Sequence, residues 1–233
     1  MIRAHSMTPE VRLNIEVESL QVPITAYYAV SRPTAEYPVP PALVVALHGW
    51  GQNCKKMLRE LAPLGERNIV VAAPQAPHPF YLDMGAGKVG FNWLTRYERD
   101  RAVADNNTFI SRLLDELRKK APYDERRVFL LGFSQGCSMA WRFSVSGNYP
   151  VAGMIACGAD LPADVAEKLP LPQQFPTLFV HGTDDPIVSV SKMHEARGIL
   201  AEKGAPFTVH EFEGEHGIPA NVAREIGAWI VGH

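Results

Sequence analysis

The stretch from Val128 to Trp141 constrains the fold more than any other part of the chain. It opens with an apolar run typical of a strand buried on both faces, and from Cys137 onward it is almost wholly apolar, as in a buried helix. Between the two stands Gly-Phe-Ser-Gln-Gly at 132–136. A strand, a tight turn with one serine between two glycines, and a helix predict a nucleophile elbow. In that arrangement Ser134 projects from the carboxyl edge of a sheet.

The glycines of this pattern have a steric role. The serine sits at a strained backbone angle, and a Cβ two residues to either side would collide with the neighbouring strand or helix. The first N–H groups of the helix then lie beside Ser134. A short pattern of this kind also arises by chance, so the rest of the chain must supply a base, an acid and an oxyanion hole.

Length and composition limit the class of protein. The 233 residues suit a single α/β domain over 1–233, and 46% hydrophobic with 21% charged residues is typical of globular proteins. The formal net charge of −2 provides no basic field, so no nucleic-acid partner is expected. No apolar run approaches the length of a bilayer span, so stable membrane insertion is not expected.

The three cysteines, Cys54, Cys137 and Cys157, are odd in number and irregularly spaced. This argues against a disulfide framework and favours a reducing, cytoplasmic location. The N-terminus has no apolar core of a signal peptide. Cys137 follows Ser134 by one helical turn, where a nucleophilic or redox role is conceivable, but a small core residue on a buried helix is the favoured interpretation.

Apolar strands alternate with amphipathic helices along most of the chain, which predicts a mostly parallel sheet with helices on both faces. An N-terminal antiparallel hairpin, Val11–Glu18 and Val22–Val30, is predicted to precede it. The further strands are predicted at 43–47, 69–73, 128–132, 153–157, 177–180 and 207–212. The helices are predicted around 57–64, 102–121, 137–143, 190–202 and 221–231, the first with Asn53 as its cap.

The connection at about 74–100 is long and rich in Pro, Gly and aromatic residues. Such a loop in a compact domain is usually functional, and its aromatic content argues against disorder. Its aromatic residues are predicted to line the substrate pocket, because ligand pockets are mostly apolar. Packing of the loop onto the sheet is the alternative. The predicted pocket residues are Phe80, Tyr81, Phe91 and Trp93.

Four polar residues follow predicted strand ends: His48, Ser134, Asp185 and His216. In open α/β sheets ligands lie outside the carboxyl ends of the strands, so these residues predict one site. His216 is the candidate base for Ser134, because the pKa of an imidazole lies near working pH. Asp185 would accept the other ring N–H and fix the tautomer. Asp184 and Asp160 remain alternatives for the acid; the first is its neighbour and the second also ends a strand.

The oxyanion hole must offer N–H groups to the developing alkoxide. The backbone N–H of Gln135 and that of Trp50, in the loop at 48–51, are the candidates. A plain glycine-rich turn is the alternative for that loop. His48 and His181 precede glycines at strand ends and are interpreted as residues that hold loops by hydrogen bonds.

Five segments together resemble the phospholipase/carboxylesterase family of α/β-hydrolases, which includes acyl-protein thioesterases and lysophospholipases. They are His-Gly-Trp-Gly-Gln-Asn (48–53), Pro-Gln-Ala-Pro (74–77), Gly-Phe-Ser-Gln-Gly (132–136), His-Gly-Thr-Asp-Asp-Pro-Ile-Val (181–188) and Gly-Glu-His-Gly (214–217). The similarity covers about 41–231 and implies the α/β-hydrolase fold. It also implies that Ser134, Asp185 and His216 form the triad, with Trp50 and Gln135 in the oxyanion hole. The chain departs from the family at Phe91-Asn92-Trp93-Leu94, where members acting on acyl proteins usually carry a Trp-aromatic-Asp element.

The sequence therefore predicts a serine hydrolase that cleaves small acyl esters through a Ser-His-Asp triad and an acyl-enzyme. The alternatives on the same site are a thioesterase, a lysophospholipase or a peptidase; a non-catalytic binding protein on the same fold is the alternative from another class. No cofactor or metal is predicted, because no ligand spacing and no phosphate-binding glycine loop occur. Nothing in the sequence marks an oligomer interface.

Overall fold

A computed structural model describes residues 14–120 and 123–233 of the chain. The strands of these ranges are β1 (Tyr28–Ser31), β2 (Ala42–Leu47), β3 (Ile69–Pro74), β4 (His78–Asp83), β5 (Lys88–Asn92), β6 (Val128–Phe133), β7 (Gly153–Cys157), β8 (Thr177–Gly182) and β9 (Phe207–Phe212). The helices are α1 (Cys54–Glu60), α2 (Arg99–Lys120), α3 (Gln135–Ser144), α4 (Ala163–Ala166), α5 (Val190–Glu202) and α6 (Ala220–Gly232), with a 3₁₀ helix at Ala62–Glu66. None of the helices in these ranges combines the length and the apolar character that crossing a bilayer requires.

Seven strands form one sheet in the order β1-β3-β2-β6-β7-β8-β9. All neighbouring pairs are parallel except the edge pair β1 and β3, which is antiparallel. The predicted α/β fold with a mostly parallel sheet is confirmed. The carboxyl ends of the parallel strands meet at one edge of the sheet, so the loops after β2, β6, β8 and β9 lie side by side.

The sheet is buried on both faces because its strands are apolar at successive positions. On β2, Leu43 and Val45 pack towards α2, α3 and α5, whereas Ala42 and Val44 pack towards α1 and α6. Five helices thus cover the two faces. This explains why the strands appear in the sequence as continuous apolar runs rather than alternating ones.

The predicted helices are present, with small changes at their ends. The side chain of Asn53 accepts the N–H of Lys56 at 2.8 Å and caps α1, as predicted. Helix α1 ends earlier than the apolar spacing predicts, and a 3₁₀ turn that contains Pro63 follows it. Proline at that position cannot donate the backbone hydrogen bond that would continue the helix.

The predicted N-terminal hairpin is not formed by the described residues. Residues 14–27 contain no strand, and only Tyr28–Ser31 pairs with the sheet, against β3. Residues 11–13 of the first predicted strand lie outside the described residues. Side chains such as Ile15 and Val17 remain 75% and 85% exposed. Alternating apolar residues favour a strand only where a neighbouring edge supplies hydrogen bonds and apolar surface, and no neighbour does so within the described ranges.

The connection at 74–100 is more ordered than predicted, because it contains the antiparallel hairpin of β4 and β5. Prolines and glycines in this segment obscure the strand pattern in the sequence. The hairpin is tied to the loop after β2 by one backbone hydrogen bond, from the Gly51 N–H to the Phe91 carbonyl at 2.9 Å. The aromatic residues of this hairpin therefore lie next to the loop that follows β2.

Helix α3 packs directly against β2 at Gly136. A Cβ on this residue would lie 2.1 Å from the carbonyl oxygen of Leu47 and 2.6 Å from that of His48. Both obstacles are backbone atoms of a central strand and its loop, which cannot move aside as a side-chain tip can. The glycine therefore sets how closely the helix approaches the sheet.

Replacing Gly136 with alanine should reduce the free energy of unfolding by about 3 kcal/mol, because helix and strand must separate to admit the methyl group. Gly198→Ala on α5 is the matched control. Nothing lies within 4 Å of the added Cβ there, so it should raise the stability by about 0.5–1 kcal/mol. Urea denaturation measures both changes. A Gly136→Ala protein as stable as wild type would contradict this account of the packing.

Candidate active site

Ser134 occupies the turn between β6 and α3 with φ 53° and ψ −123°, a backbone conformation that non-glycine residues rarely adopt. Its N–H donates to the Cys157 carbonyl at 2.9 Å, and its carbonyl accepts the Cys137 N–H at 2.9 Å. These bonds hold the strained residue at the sheet edge. The predicted strand, turn and helix are all present, with Ser134 at the turn.

Close packing around Ser134 depends on glycines. A Cβ on Gly132 would lie 2.2 Å from Cys137 Cα, and one on Gly49 would lie 3.3 Å from Ser134 Cβ. A Cβ on Gly158 would lie 3.2 Å from two atoms of the His216 ring. The loops after β2, β6 and β7 therefore approach the same small region.

Asp185 and His216 are in direct contact at this edge. His216 Nδ1 lies 2.6 Å from Asp185 Oδ2, while Asp185 Oδ1 accepts the backbone N–H groups of Ile187 and Val188 at 2.8 and 2.9 Å. A carboxylate only accepts, so Nδ1 carries the proton and Nε2 is left with a free lone pair. An imidazole in this tautomer can accept a proton at Nε2.

The loops that carry these two residues are joined to each other. Thr183 N–H donates to the Phe212 carbonyl at 2.9 Å, and Asp184 N–H donates to the Gly214 carbonyl at 3.0 Å. A Cβ on Gly182 would lie 2.3 Å from the Gly214 oxygen. Parallel pairing of β8 and β9 thus continues into the loops and brings Asp185 under the imidazole.

The carboxyl of Asp185 is almost entirely buried, and burial alone raises its pKa. The hydrogen bonds from His216 and from the N–H groups of Val188 and Ile187 outweigh that effect, so the pKa of Asp185 is lowered. The acid is therefore ionised at neutral pH. Asp184 and Asp160, the alternatives from the sequence, are exposed, and neither forms a hydrogen bond or an ion pair with His216.

The imidazole of His216 lies near Ser134 without a hydrogen bond to it. Its ring centroid is 4.7 Å from that of Phe133, the residue before Ser134. The Ser134 hydroxyl therefore stands close to the imidazole ring without bonding to it.

The loop after β2 presents the N–H of Trp50. Gly49 N–H donates to Gln52 Oε1 at 3.0 Å, and Gly51 and Gln52 N–H groups donate to backbone carbonyls at 2.9 and 3.1 Å. The Trp50 N–H has no acceptor among the described residues. The Gln135 N–H, at the first position of α3, likewise lacks an intrahelical acceptor. These are the two N–H groups that the sequence predicts for the oxyanion hole.

His48 lies under this loop and is fully buried. Its Nε2 accepts the Ala76 N–H at 3.1 Å, and its Nδ1 donates to the Gly49 carbonyl at 2.8 Å. Burial lowers the pKa of His48 to about 4, and the bond to Gly49 offsets only part of that effect. The neutral ring holds the loop. His181 Nε2 donates to the Val188 carbonyl at 2.8 Å in the same manner.

The four aromatic residues predicted for the pocket have different environments. Phe80 contacts the exposed Trp50 with ring centroids 4.8 Å apart, Tyr81 is 62% exposed, and Phe91 packs against the core. The prediction for Trp93 is wrong, because this side chain is fully buried and lines no surface. Its indole donates to the His48 carbonyl at 2.8 Å, so it supports the loop from below.

Sequence reasoning missed two polar groups beside the site. The side chain of Gln135 binds the backbone of the 74–100 connection, and nothing in the sequence distinguishes this from an exposed glutamine. Asn106 donates to the Trp93 carbonyl at 2.8 Å from the buried face of α2. Its spacing from Ile110 and Leu113 places a polar residue in an apolar stripe, and that signal was available. In the described ranges no group of three His, Cys, Asp or Glu could hold a metal ion.

The lowered pKa of His48 predicts how stability depends on pH. The unfolded chain binds a proton near the ordinary value of 6.5, whereas the folded protein does so near 4. The lowered pKa of His48 therefore contributes its full share to the free energy of unfolding above pH 6.5. As the pH falls from 6.5 towards 4, the free energy of unfolding decreases by at most about 3 kcal/mol on this account. His48→Gln should lose less stability between these limits in urea titrations, and His78→Gln, at an exposed histidine, should follow wild type. Identical pH dependence in all three would contradict the prediction.

Comparison with known proteins places this geometry in a family. A family model described as phospholipase/carboxylesterase matches residues 34–231. The chain is 26% identical over 171 residues to acyl-protein thioesterase 1 of Neurospora crassa, covering 67% of this chain and 69% of that protein.

Solved structures show the same fold. Esterase PE8 aligns with a TM-score of 0.71 and 22% identity over 90% of this chain and 99% of its own. Acyl-protein thioesterase 2 of Zea mays aligns with a TM-score of 0.70 and 20% identity over 89% and 99%. The carboxylesterase of Bacillus cereus aligns with a TM-score of 0.65 and 18% identity over 89% and 94%. With the family model spanning most of its length, the chain belongs to the phospholipase/carboxylesterase family of hydrolytic enzymes.

Proposed function

We propose that the protein hydrolyses carboxylic esters through a covalent acyl-enzyme, with Ser134 as nucleophile, His216 as general base and Asp185 as the acid that orients it. The observation that carries the proposal is the 2.6 Å hydrogen bond from His216 Nδ1 to the buried Asp185 carboxylate, beside a strained serine at the same sheet edge. A serine hydroxyl is a weak nucleophile and needs such a base.

The acylation step uses only these residues. Ser134 Oγ attacks the acyl carbon while its proton passes to His216 Nε2, and the carbonyl oxygen becomes an oxyanion. The N–H groups of Trp50 and Gln135 donate to that oxygen, and the N-terminal end of α3 adds its positive potential. The tetrahedral intermediate then expels the alcohol, which takes the proton from His216.

Deacylation repeats the sequence with water. The oxygen of a water molecule attacks the acyl carbon while His216 Nε2 accepts a proton from that water. The second oxyanion then occupies the same oxyanion hole. Ser134 leaves with the proton returned by His216, and the carboxylic acid is released. Asp185 stays ionised throughout and stabilises the imidazolium in both steps, in keeping with its lowered pKa.

The acyl side of the substrate is proposed to lie against Trp50 and Phe80. Trp50 is 58% exposed although its backbone N–H belongs to the proposed oxyanion hole, and Phe80 supports its ring. Exposed Tyr81 and partly buried Phe91 lie on the same hairpin. Apolar surface beside the acyl carbon suits an aliphatic chain.

Acyl thioesters are the second candidate substrates. The relative from Neurospora crassa and the structure from Zea mays are both named acyl-protein thioesterases. The same triad would cleave a thioester, since only the leaving group changes from an alcohol to a thiol. Phospholipids, suggested by the name of the matching family, and the lysophospholipids that the sequence leaves open are carboxylic esters and would use the same steps.

A fluorophosphonate should form one covalent adduct on the wild-type protein and none on Ser134→Ala, because only an activated serine reacts. Ser134→Ala should also lower kcat for p-nitrophenyl esters by about a million-fold. Intact mass measures the adduct, and short- and long-chain esters and thioesters then rank the substrates. Folded wild-type protein that forms no adduct would favour the binding-protein alternative.

Asp185→Asn should lower kcat by about 10,000-fold, because an amide no longer holds the imidazole in the required tautomer. Asp184→Asn is the matched control. Its carboxylate is exposed and accepts a hydrogen bond from Thr183 Oγ1 at 3.4 Å, so kcat should stay within about twofold of wild type. Steady-state kinetics on one ester measures both. A large loss at Asp184 with none at Asp185 would transfer the acid role to Asp184.

A further inference from the structure

The side chain of Gln135 makes contacts that the proposed chemistry does not use. Its Oε1 accepts the backbone N–H of Trp93 at 2.9 Å, and its Nε2 donates to the carbonyl of Leu94 at 2.9 Å. One amide thus binds backbone groups of two consecutive residues of the 74–100 connection. These contacts orient the amide without ambiguity, because an N–H must meet an acceptor and a carbonyl must meet a donor.

Trp93 in turn bonds to the loop after β2. Its indole Nε1 donates to the His48 carbonyl at 2.8 Å, and its ring lies 5.2 Å from the imidazole of His48. Its own carbonyl accepts the side chain of Asn106 at 2.8 Å. The N–H, the carbonyl and the indole of Trp93 are therefore bound by three separate elements, and the residue has no exposed surface.

The two proposed oxyanion donors belong to elements that are distant in the chain. Trp50 lies two residues after His48, and Gln135 begins α3, so the spacing between their N–H groups is a tertiary property. Donors stabilise an oxyanion only when both lie about 2.7–3.1 Å from its position, and a displacement of about 1 Å can cost 100-fold in rate. Residues 93–94 link the two elements through one buried hydrogen bond, from the Trp93 indole to His48, and two partly buried ones to Gln135.

We propose that Gln135 and Trp93 are positioning residues whose side chains hold the two halves of the oxyanion hole at a fixed separation. The Gln135–Trp93 bridge denotes the bonds from the Gln135 amide to residues 93–94 and from the Trp93 indole to the His48 carbonyl. The role of the bridge in catalysis rests on the proposed function. The backbone N–H of Gln135 is present whatever side chain stands there, so substitution separates the bridge from the donor itself.

Gln135→Met keeps the length of the side chain and removes both of its hydrogen bonds. It should lower kcat for a p-nitrophenyl ester about 10- to 100-fold and leave KM within about threefold. Misplaced donors weaken the stabilisation of the oxyanion in the transition state but not the binding of the substrate. Trp93→Phe should have a similar effect. In the double variant, the fold-reduction in kcat should be smaller than the product of the two single fold-reductions. The reason is that both side chains maintain the same separation between the two oxyanion donors.

Trp229→Phe is the matched control for the tryptophan. Its indole Nε1 is buried on α6 without a hydrogen-bond partner among the described residues, so the same exchange removes no bond there. Its kcat should equal that of wild type. An equal reduction of kcat in Trp93→Phe and Trp229→Phe would show a general effect of reduced packing and would overturn the proposal.

Gln135→Glu adds a readout that packing alone does not move. A protonated carboxyl can still accept from the Trp93 N–H and donate to the Leu94 carbonyl, whereas a carboxylate repels that carbonyl. The ratio of its kcat to that of wild type at the same pH should therefore rise about tenfold from about pH 8 to about pH 5. A constant ratio across this range would contradict the proposal.

Hydrogen exchange at the Trp93 amide tests the bridge independently of catalysis. The amide should be protected in wild type and exchange at least about tenfold faster in Gln135→Met. Unchanged protection overturns the proposal, and so does faster exchange with wild-type kcat. A wild-type protein without fluorophosphonate reactivity or esterase activity would refute the proposed function instead, and the exchange rates would still decide whether the bridge exists.

Discussion

The strained turn at Ser134 is the constraint on which the site depends. A non-glycine residue at φ 53° is tolerated only where its surroundings hold it there. Here the bond to the Cys157 carbonyl and the close contact of Gly136 with Leu47 press α3 against the sheet. Because this packing occurs in the middle of the sheet, the serine faces the edge where four loops converge. The loops after β2, β8 and β9 then bring His48, Asp185 and His216 to the same region.

Two buried titratable groups of this region have lowered pKa values for different reasons. The carboxyl of Asp185 is buried with three hydrogen bonds to its oxygens, and its pKa is lowered despite the cost of desolvation. The imidazole of His48 is buried without a charged partner, so its pKa falls to about 4 and it stays neutral. His216, by contrast, is partly exposed and hydrogen-bonded to a carboxylate. The two histidines at this edge of the sheet thus differ in burial and in partner: His48 holds a loop from below, and His216 faces the region beside Ser134.

The 74–100 connection contributes to the site in two ways. Its hairpin places Phe80 against Trp50 on the outside, where substrate would lie. Its end places Trp93 inside, where each of its polar groups is bound by a different element. A segment rich in aromatic residues therefore divides into a surface part and a buried part. Only this second part is bonded both to the loop after β2 and to helix α3.

The sequence by itself determined the mostly parallel sheet, most of its strands and helices in chain order, and the residues that follow strand ends at its edge. These follow from local patterns: continuous apolar runs, helical spacing, and glycines at 132 and 136 around Ser134. The tertiary structure alone decided that residues 14–27 form no strand and that Trp93 supports a loop instead of lining a pocket. Both outcomes depend on long-range partners. The Trp93 amide meets a side chain 42 residues away, and an exposed apolar segment forms a strand only if some edge is free to receive it.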